Sequence, residues 1–215
     1  MTIPRLFPYG PGVRWERLFE DLEGQLAAEW ESERAALDSE AERLRLSRVR
    51  LRDRLVALSG QSAETTAVAL ADGSTVRGTF EAAGADFAAL RLDASGGPLA
   101  LIRTDAIASL TMSEVSLLHS ARPDSRHERT GLTDRLTLGF VLRDLARRRS
   151  ALRVHHRGGA VESGTLDRVG SDHFDLAVHD PGMPRRTSEV RAFRLVPFAA
   201  VAWIVLEDGA SPALL

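Results

Sequence analysis

The fold is set by the segment Gly73-Ser-Thr-Val-Arg-Gly-Thr-Phe-Glu-Ala-Ala-Gly-Ala-Asp86, which returns 86 positions later (159 − 73) as Gly159-Ala-Val-Glu-Ser-Gly-Thr-Leu-Asp-Arg-Val-Gly-Ser-Asp172. Three glycines and the final aspartate keep their places. Further on, residues 102–110 align with residues 196–204 at an offset of 94 (196 − 102), so the second copy has eight extra residues (94 − 86) in one loop. The match preserves glycines and apolar alternation but no reactive side chain. It predicts a duplicated fold and not a duplicated active site.

Composition sets broad limits on the kind of protein. The chain has 215 residues, of which 44% are hydrophobic and 27% charged, as is ordinary for a globular protein. A net charge of −2 gives no global attraction to nucleic acid or to an anionic membrane. The lack of cysteine excludes disulfides, thiolate metal sites and a cysteine nucleophile.

The amino-acid usage and the lack of a recognisable targeting signal indicate a bacterial cytoplasmic protein. All 28 basic residues are arginine and asparagine is missing, which indicates GC-rich coding in a high-GC bacterium. Residues 1–12 lack the apolar core of a signal peptide. The longest apolar run is shorter than the roughly 20 residues that a membrane-spanning helix needs. We therefore expect a cytoplasmic protein.

Residues 13–58 carry a helical pattern. Apolar side chains recur every three or four residues, and charged side chains occupy the opposite face. Ser39 followed by Glu42 is a capping-box pattern, so the segment is either one long helix or two helices that meet near Asp38. We favour the pair.

From Thr66 onward the apolar period changes to two, which is typical of half-buried strands. Asp72-Gly73 is a hairpin signal, and five short strands in about 45 residues have the size of a small barrel. The same pattern follows a helix that begins after Thr133. The chain then divides into five parts: a helical segment at 1–60, a first barrel at 61–118, a linker and helix at 119–149, a second barrel at 150–207 and a tail at 208–215.

A helix followed by five bent strands, with Asp72-Gly73 and Gly78 early and Ile102-Arg103 late, resembles the Sm-like (Hfq-like) small β-barrel. The resemblance covers Leu51–Leu110 and Leu142–Ile204. It implies an α+β fold in which the N-terminal helical segment precedes two tandem five-stranded Sm-like or SH3-like barrels, each preceded by a helix.

The Sm-like resemblance does not carry over to RNA binding. That family holds RNA bases with an Asp and an Asn in the loop after the glycine of its second strand. The corresponding positions here are Gly84 and Ala88 in the first copy, and Gly170 and Phe174 in the second. The resemblance therefore implies the fold without the usual RNA pocket.

The whole chain also resembles a family of uncharacterised actinobacterial proteins, some of which carry a label of Fis-like transcriptional regulator. The similarity runs from Trp15-Glu-Arg-Leu-Phe-Glu-Asp-Leu-Glu to the segment that ends at Asp172. A Fis-type protein needs a C-terminal helix-turn-helix to enter the major groove. Residues 198–206 have the pattern of a strand instead.

Histidines and aspartates gather in the second copy and raise the question of a metal or hydrolytic site. Imidazole and carboxylate suit Zn²⁺ or Mn²⁺, but no metal-binding spacing such as HExxH is present. Adjacent His155 and His156 point to opposite faces of a strand. We therefore interpret these histidines as strand-edge or turn residues, and we expect no metal site. The repeated Asp86 and Asp172 are interpreted as turn residues that bond backbone N–H groups.

Arginines of the second part of the helical segment form the first candidate binding face. Arg45, Arg48 and Arg52 lie along one helix side and could bind the phosphates of an anionic partner. No aromatic side chains are interleaved with them to stack bases, and acidic neighbours dilute the charge. A solvated helix face is the favoured interpretation.

A wide apolar stripe on the first part of the helical segment is the second candidate. It consists of Trp15, Phe19, Leu22, Leu26 and Trp30. The stripe either packs on the first barrel or forms a helix–helix interface, for which two tryptophans are well suited. Sequence favours neither over the other.

We predict from these observations a non-enzymatic binding or scaffolding protein that self-associates, with no catalytic residue, cofactor or metal. Its expected partner is a protein or a second copy, and neither a membrane nor a small-molecule substrate is expected. The alternative is a nucleic-acid-binding regulator, of transcription or RNA, that uses the arginine face. A His/Asp metal enzyme in the second copy comes third.

Overall fold

The computed structural model describes residues 12–59, 64–92, 96–122, 135–182 and 186–207. Side chains of residues 12–16 are outside this description. The predicted tail at 208–215 and the predicted cap Thr133 also lie outside the described residues. The chain divides into two compact units, Met1–Val49 and Arg50–Leu215.

Among its described residues, the first unit contains one helix, α1 (Gly12–Leu46), of 35 residues. At 1.5 Å per residue it is about 52 Å long. It continues through Asp38 and Ser39, where the sequence indicated a boundary, because two polar residues of modest helix propensity cost little in a long helix. The helix ends instead at Leu46, with Arg43 and Arg45 in its last turn. The negative end of the helix dipole stabilises cationic side chains at this position.

The second unit contains three α-helices and ten strands within the described residues. The helices are α2 (Leu51–Ser59), α3 (Glu114–Ser120) and α4 (Leu138–Arg148). The first strand set is β1 (Thr66–Leu70), β2 (Thr75–Ala83), β3 (Phe87–Leu92), β4 (Leu99–Arg103) and β5 (Ile107–Thr111). The second set is β6 (Ala151–His156), β7 (Val161–Val169), β8 (His173–Val178), β9 (Ala192–Pro197) and β10 (Val201–Leu206).

The ten strands form one antiparallel sheet with the order β5-β1-β2-β3-β4-β10-β6-β7-β8-β9. The first five and the last five strands thus have the same internal order. They meet where β4 pairs with β10, in a register that places Ile102 opposite Trp203 and Leu101 opposite Ile204. The sheet ends in two unlike strands, β5 and β9.

The predicted fold class, two tandem five-stranded Sm-like or SH3-like barrels each preceded by a helix, is wrong. A barrel closes each set of five strands on itself, whereas β4 of the first set pairs with β10 of the second and the sheet stays open. Apolar alternation looks the same whether the neighbouring strand is local or distant. The sequence pattern therefore predicted strands but could not predict their closure.

The repeated glycines allow two strands to approach closely at matching places. A Cβ on Gly78 would lie 2.1 Å from the backbone oxygen of Arg91, and a Cβ on Gly164 would lie 2.2 Å from that of Ala177. Each glycine is on the second strand of its set, opposite the third strand. Any larger residue there would force these strands apart.

Two hydrophobic clusters form the core, and each one draws on both strand sets. One cluster lies around α4 and β10 and includes Leu99 and Leu101 from β4. The other lies around α2 and the first strand set and includes Ala202, Trp203 and Val205 from β10. The two sets therefore complete each other's core.

Helix α4 begins where two oxygens accept its free N–H groups. The hydroxyl of Thr137 accepts a hydrogen bond from the Phe140 N–H at 3.3 Å, and Asp86 Oδ1 accepts one from the Leu138 N–H at 2.7 Å. The interpretation of Asp86 as a residue that bonds the N–H groups of its own bend is corrected by this contact. Its side chain caps a helix 52 residues away in the chain.

We expect Gly78→Ala and Gly164→Ala to destabilise the second unit to a similar degree, by about 2 kcal/mol or more, because each added methyl group meets a backbone oxygen. Urea unfolding at equilibrium measures the loss. Gly158→Ala is the matched control, since a Cβ there has nothing within 4 Å. Equal stability of all three variants would contradict the close-approach argument.

Candidate interaction surfaces

The described side chains of the predicted apolar stripe are all exposed on α1. Phe19 is 60% exposed, Leu26 54% and Trp30 63%, and Leu22 is similar. At 100° per residue, these four positions fall within an arc of about 80°. Leu37 and Leu44 extend the same exposed stripe toward the end of the helix. The side chain of Trp15 lies outside the described residues.

The three arginines of the predicted anionic-partner face do not share one helix. Arg45 is on α1, Arg48 is in the turn after it, and Arg52 is on α2 in the second unit. Two of them are engaged with acceptors of this chain. Arg45 forms hydrogen bonds of 2.6 and 2.7 Å to Glu42, and Arg52 Nε donates to the Gly84 backbone oxygen at 2.9 Å.

The histidines of the second strand set each have a separate neighbour. His156 Nε2 is 3.1 Å from Glu162, His173 Nδ1 is 2.8 Å from Asp172, and the buried His179 is 2.8 Å from the Thr165 hydroxyl. The hydrogen bond from His173 is the main cause that lowers the pKa of Asp172. Over the described ranges, no three His, Asp or Glu side chains converge as a metal-binding group.

A polar cluster joins the two strand sets beside the β4–β10 pairing. Trp203 Nε1 donates a 3.0 Å hydrogen bond to Asp72 Oδ2, and the ring of His155 stacks on Trp203 with 3.7 Å between centroids. Burial alone would raise the pKa of Asp72, but hydrogen bonds from Ser74 and Trp203 outweigh it and lower that pKa. Burial lowers the pKa of His155, opposed in part by the nearby Asp72 carboxylate.

Two apolar side chains on the end strand β9 are strongly exposed. Phe193 and Leu195 are 68% and 67% exposed. At the other end of the sheet, a cavity of about 240 Å³ lies beside β5. Its lining includes Leu51, Leu110, Met112 and Leu117. Both ends of the sheet thus present apolar surface.

These end surfaces were not predicted from the sequence, although the repeat contains a signal for them. Extending the alignment at an offset of 94 toward the N-terminus places Phe193 on Leu99 (193 − 99) and Leu195 on Leu101. That comparison identifies two apolar positions that occur in both copies. It does not reveal that one pair is buried and the other exposed.

No family model, curated protein or solved structure with which the chain was compared matches it. The resemblances to the Sm-like barrel and to the Fis-labelled family therefore gain no support from these comparisons. Within the described part of the chain, helices long and apolar enough to cross a membrane are absent.

The low pKa of His155 gives an expected dependence of stability on pH. The unfolded chain takes up a proton near the ordinary histidine pKa of about 6.5, while the folded chain resists it. The stabilising contribution is therefore complete above that pH and is lost as the pH falls below it. We expect the urea midpoint to fall from pH 7.5 to pH 5.5, and to fall less in His155→Phe, which keeps the stacked ring.

His119→Gln is the control for this measurement, because His119 is an exposed histidine on α3. It should leave the pH dependence as in the unmodified chain. If His155→Phe and the unmodified chain lose stability equally between the two pH values, His155 is not the group responsible.

Proposed function

We propose that this chain is a non-catalytic scaffolding or binding protein that self-associates through α1. The exposed apolar stripe of α1 is the observation that carries the proposal. An isolated helix gains little stability in water from hydrogen bonding alone, and most helices are stabilised by burying an apolar face. Exposed leucines and aromatic residues over some 25 positions are the surface that a helix–helix interface buries.

The charge distribution of α1 favours a second copy in antiparallel orientation. The helix carries ten acidic and five basic side chains, so its net charge is −5. The excess acid lies in its first part, whereas residues 34–46 hold three acidic and three basic side chains. Antiparallel pairing keeps the two acidic parts apart and sets each one beside arginines of the partner.

A nucleic-acid-binding role has less support. A helix of net charge −5 repels phosphate along most of its length. Arg45 and Arg52 are already engaged with Glu42 and the Gly84 carbonyl, so they would have to exchange these contacts for phosphates. This alternative expects binding that weakens steeply with salt, and that is lost when Arg45, Arg48 and Arg52 are all replaced by alanine.

The proposal assigns no catalytic residue, cofactor or metal. It places the chain in the cytoplasm, where a protein without cysteine loses nothing from the reducing conditions. Its partner is a second copy, with other proteins as further candidates.

We expect Leu26→Glu and Trp30→Ala to weaken self-association of the full chain at least tenfold in dissociation constant, which corresponds to about 1.4 kcal/mol. Both substitutions remove apolar surface from the centre of the stripe, where interface residues contribute most. Sedimentation equilibrium over a concentration series measures the effect.

Ala28→Glu is the matched control, because it adds the same charge on the opposite side of the helix, about 200° from Leu26. It should associate like the unmodified chain. The proposal is contradicted by a chain that remains monomeric at all concentrations, or by association that the stripe substitutions leave unchanged.

A further inference from the structure

We infer that the outer edge of β9 pairs with the outer edge of β5 in a second copy of this chain, so that Phe193 and Leu195 enter the cavity beside β5. This inference deepens the proposed self-association and rests on it. It uses a surface of the second unit alone and needs no residue of α1.

The chain already contains one junction of this kind. The two strand sets have the orders β5-β1-β2-β3-β4 and β10-β6-β7-β8-β9, so β9 is the counterpart of β4 and β5 is the counterpart of β10. Within the chain, β4 pairs with β10. The same junction between two chains joins β9 to β5, which are the two strands at the ends of the sheet.

The strand that would be inserted has the apolar side chains that the internal junction buries. Leu99 and Leu101 of β4 are 1% and 0% exposed, because they cross the junction into the core around α4. Their counterparts Phe193 and Leu195 are 68% and 67% exposed. The same two positions are therefore covered in the first strand set and uncovered in the second.

The helices α2 and α4 are also counterparts. Both contain the sequence Leu-Arg-Asp, at residues 51–53 and 142–144. Arg52 donates to the backbone oxygen of Gly84 at 2.9 Å, and Arg143 donates to that of Gly170 at 2.8 Å. Equivalent arginines thus bond equivalent glycines, which supports an offset of 91 (142 − 51) between the helices.

The cavity beside β5 is the counterpart of the space that Leu99 and Leu101 fill. In the internal junction these leucines cluster with Leu142, Leu145, Ile204 and Leu206. The counterparts of these four, at the offsets of the helices and strands, all line the cavity beside β5: Leu51, Arg54, Leu110 and Met112. Leu51 is 41% exposed where Leu142 is fully buried. The cavity thus has the counterpart lining of the site that receives Leu99 and Leu101 at the internal junction.

Strand β5 itself carries none of the residues that usually protect an edge strand from pairing. Its sequence, Ile107-Ala-Ser-Leu-Thr111, contains no charged residue and no proline. Natural proteins commonly place such residues on edge strands to prevent association. An uncharged edge strand beside a cavity lined mainly by apolar side chains fits an incoming strand from a second copy of this chain.

The internal register predicts the register between copies. Trp203 opposite Ile102 becomes Ser109 opposite Val196, and Ile204 opposite Leu101 becomes Leu110 opposite Leu195. Ser109 thus replaces the tryptophan that bonds Asp72 inside the chain. The contact between copies therefore lacks this anchor and is weaker and reversible.

Pairing of β9 with β5 is a head-to-tail contact between unlike surfaces. Such heterologous contacts produce rings where the rotation closes and filaments where it does not. A two-fold dimer would need the same surface on both copies. This difference makes the arrangement testable by mixing variants.

The test uses the full chain carrying Leu26→Glu, in which the α1 stripe no longer contributes. Leu195→Glu disables the β9 edge, and Ala108→Arg disables the β5 edge. Both positions are exposed in the single chain, so the fold tolerates them, whereas the counterpart of Ala108, Ala202, is fully buried at the internal junction. Val161→Glu is the control, an exposed apolar position on β7 that lies at neither edge.

Sedimentation velocity should show that either edge variant weakens assembly at least tenfold, while the control assembles normally. Leu195→Glu chains mixed with Ala108→Arg chains should form a species of two chains and nothing larger. The first variant keeps only its β5 edge and the second keeps only its β9 edge, so one junction can form.

A gain of association tests the register directly. Ser109→Trp with Gly158→Asp places the tryptophan and carboxylate of the internal junction at the corresponding positions between copies. A Cβ at Gly158 has nothing within 4 Å, so the aspartate fits the turn. We expect this double variant to assemble at about tenfold lower concentration, and Ser109→Trp combined with Leu195→Glu to lose that gain.

The outcomes separate this inference from the proposed function. Assembly of the chain with Leu26 intact that Leu26→Glu abolishes, and that the edge substitutions made without Leu26→Glu leave unchanged, overturns the edge pairing while α1-mediated association stands. Assembly that the edge variants alone abolish supports the edge pairing and removes the role of α1. Dimers of Ala108→Arg alone, which could form only from β9 to β9, overturn the head-to-tail arrangement, and monomers in every case overturn both proposals.

Discussion

The pairing of β4 with β10 is the constraint on which the second unit depends. Through it, Leu99 and Leu101 enter the cluster around α4, and Trp203 enters the cluster around α2. Neither cluster is complete with the strands of one set alone. Apolar burial is the main favourable contribution to folding, so the two sets are stable as one sheet. The hydrogen bond from Trp203 to Asp72 adds a polar link between the two sets beside this pairing.

The same pairing determines what remains at the ends. It uses the fourth strand of one set and the fifth strand of the other, and leaves the fifth strand of the first set and the fourth of the second as edges. These two edge strands differ from each other. They are the counterparts of β10 and β4, which pair with each other at the internal junction. The self-association that we propose uses two independent surfaces, the stripe on α1 in the first unit and the sheet edges in the second. Weak contacts joined in one chain reinforce each other through high effective concentration, which suits a scaffold.

Several features of the fold were predictable because they depend on neighbouring residues. The strand period, the hairpin at Asp72-Gly73 and the glycines Gly78 and Gly164 all express local geometry, and the apolar stripe on α1 follows from helical spacing. The helix boundary near Asp38 was not predicted correctly, because a capping sequence inside a long periodic segment does not compel a break. The role of Asp86 was missed for another reason: the N–H that it accepts belongs to a helix 52 residues away.

By itself, the sequence determined that two similar sets of strands form, where their turns lie and which side chains share a strand face. Only the tertiary structure decided which strand edges meet. Leu99 and Leu101 carry the same alternation as Phe193 and Leu195, yet one pair is buried and the other exposed. The physical reason is that a strand edge bonds equally well to a near or a distant partner, so its neighbour is chosen by the burial achieved across the whole sheet.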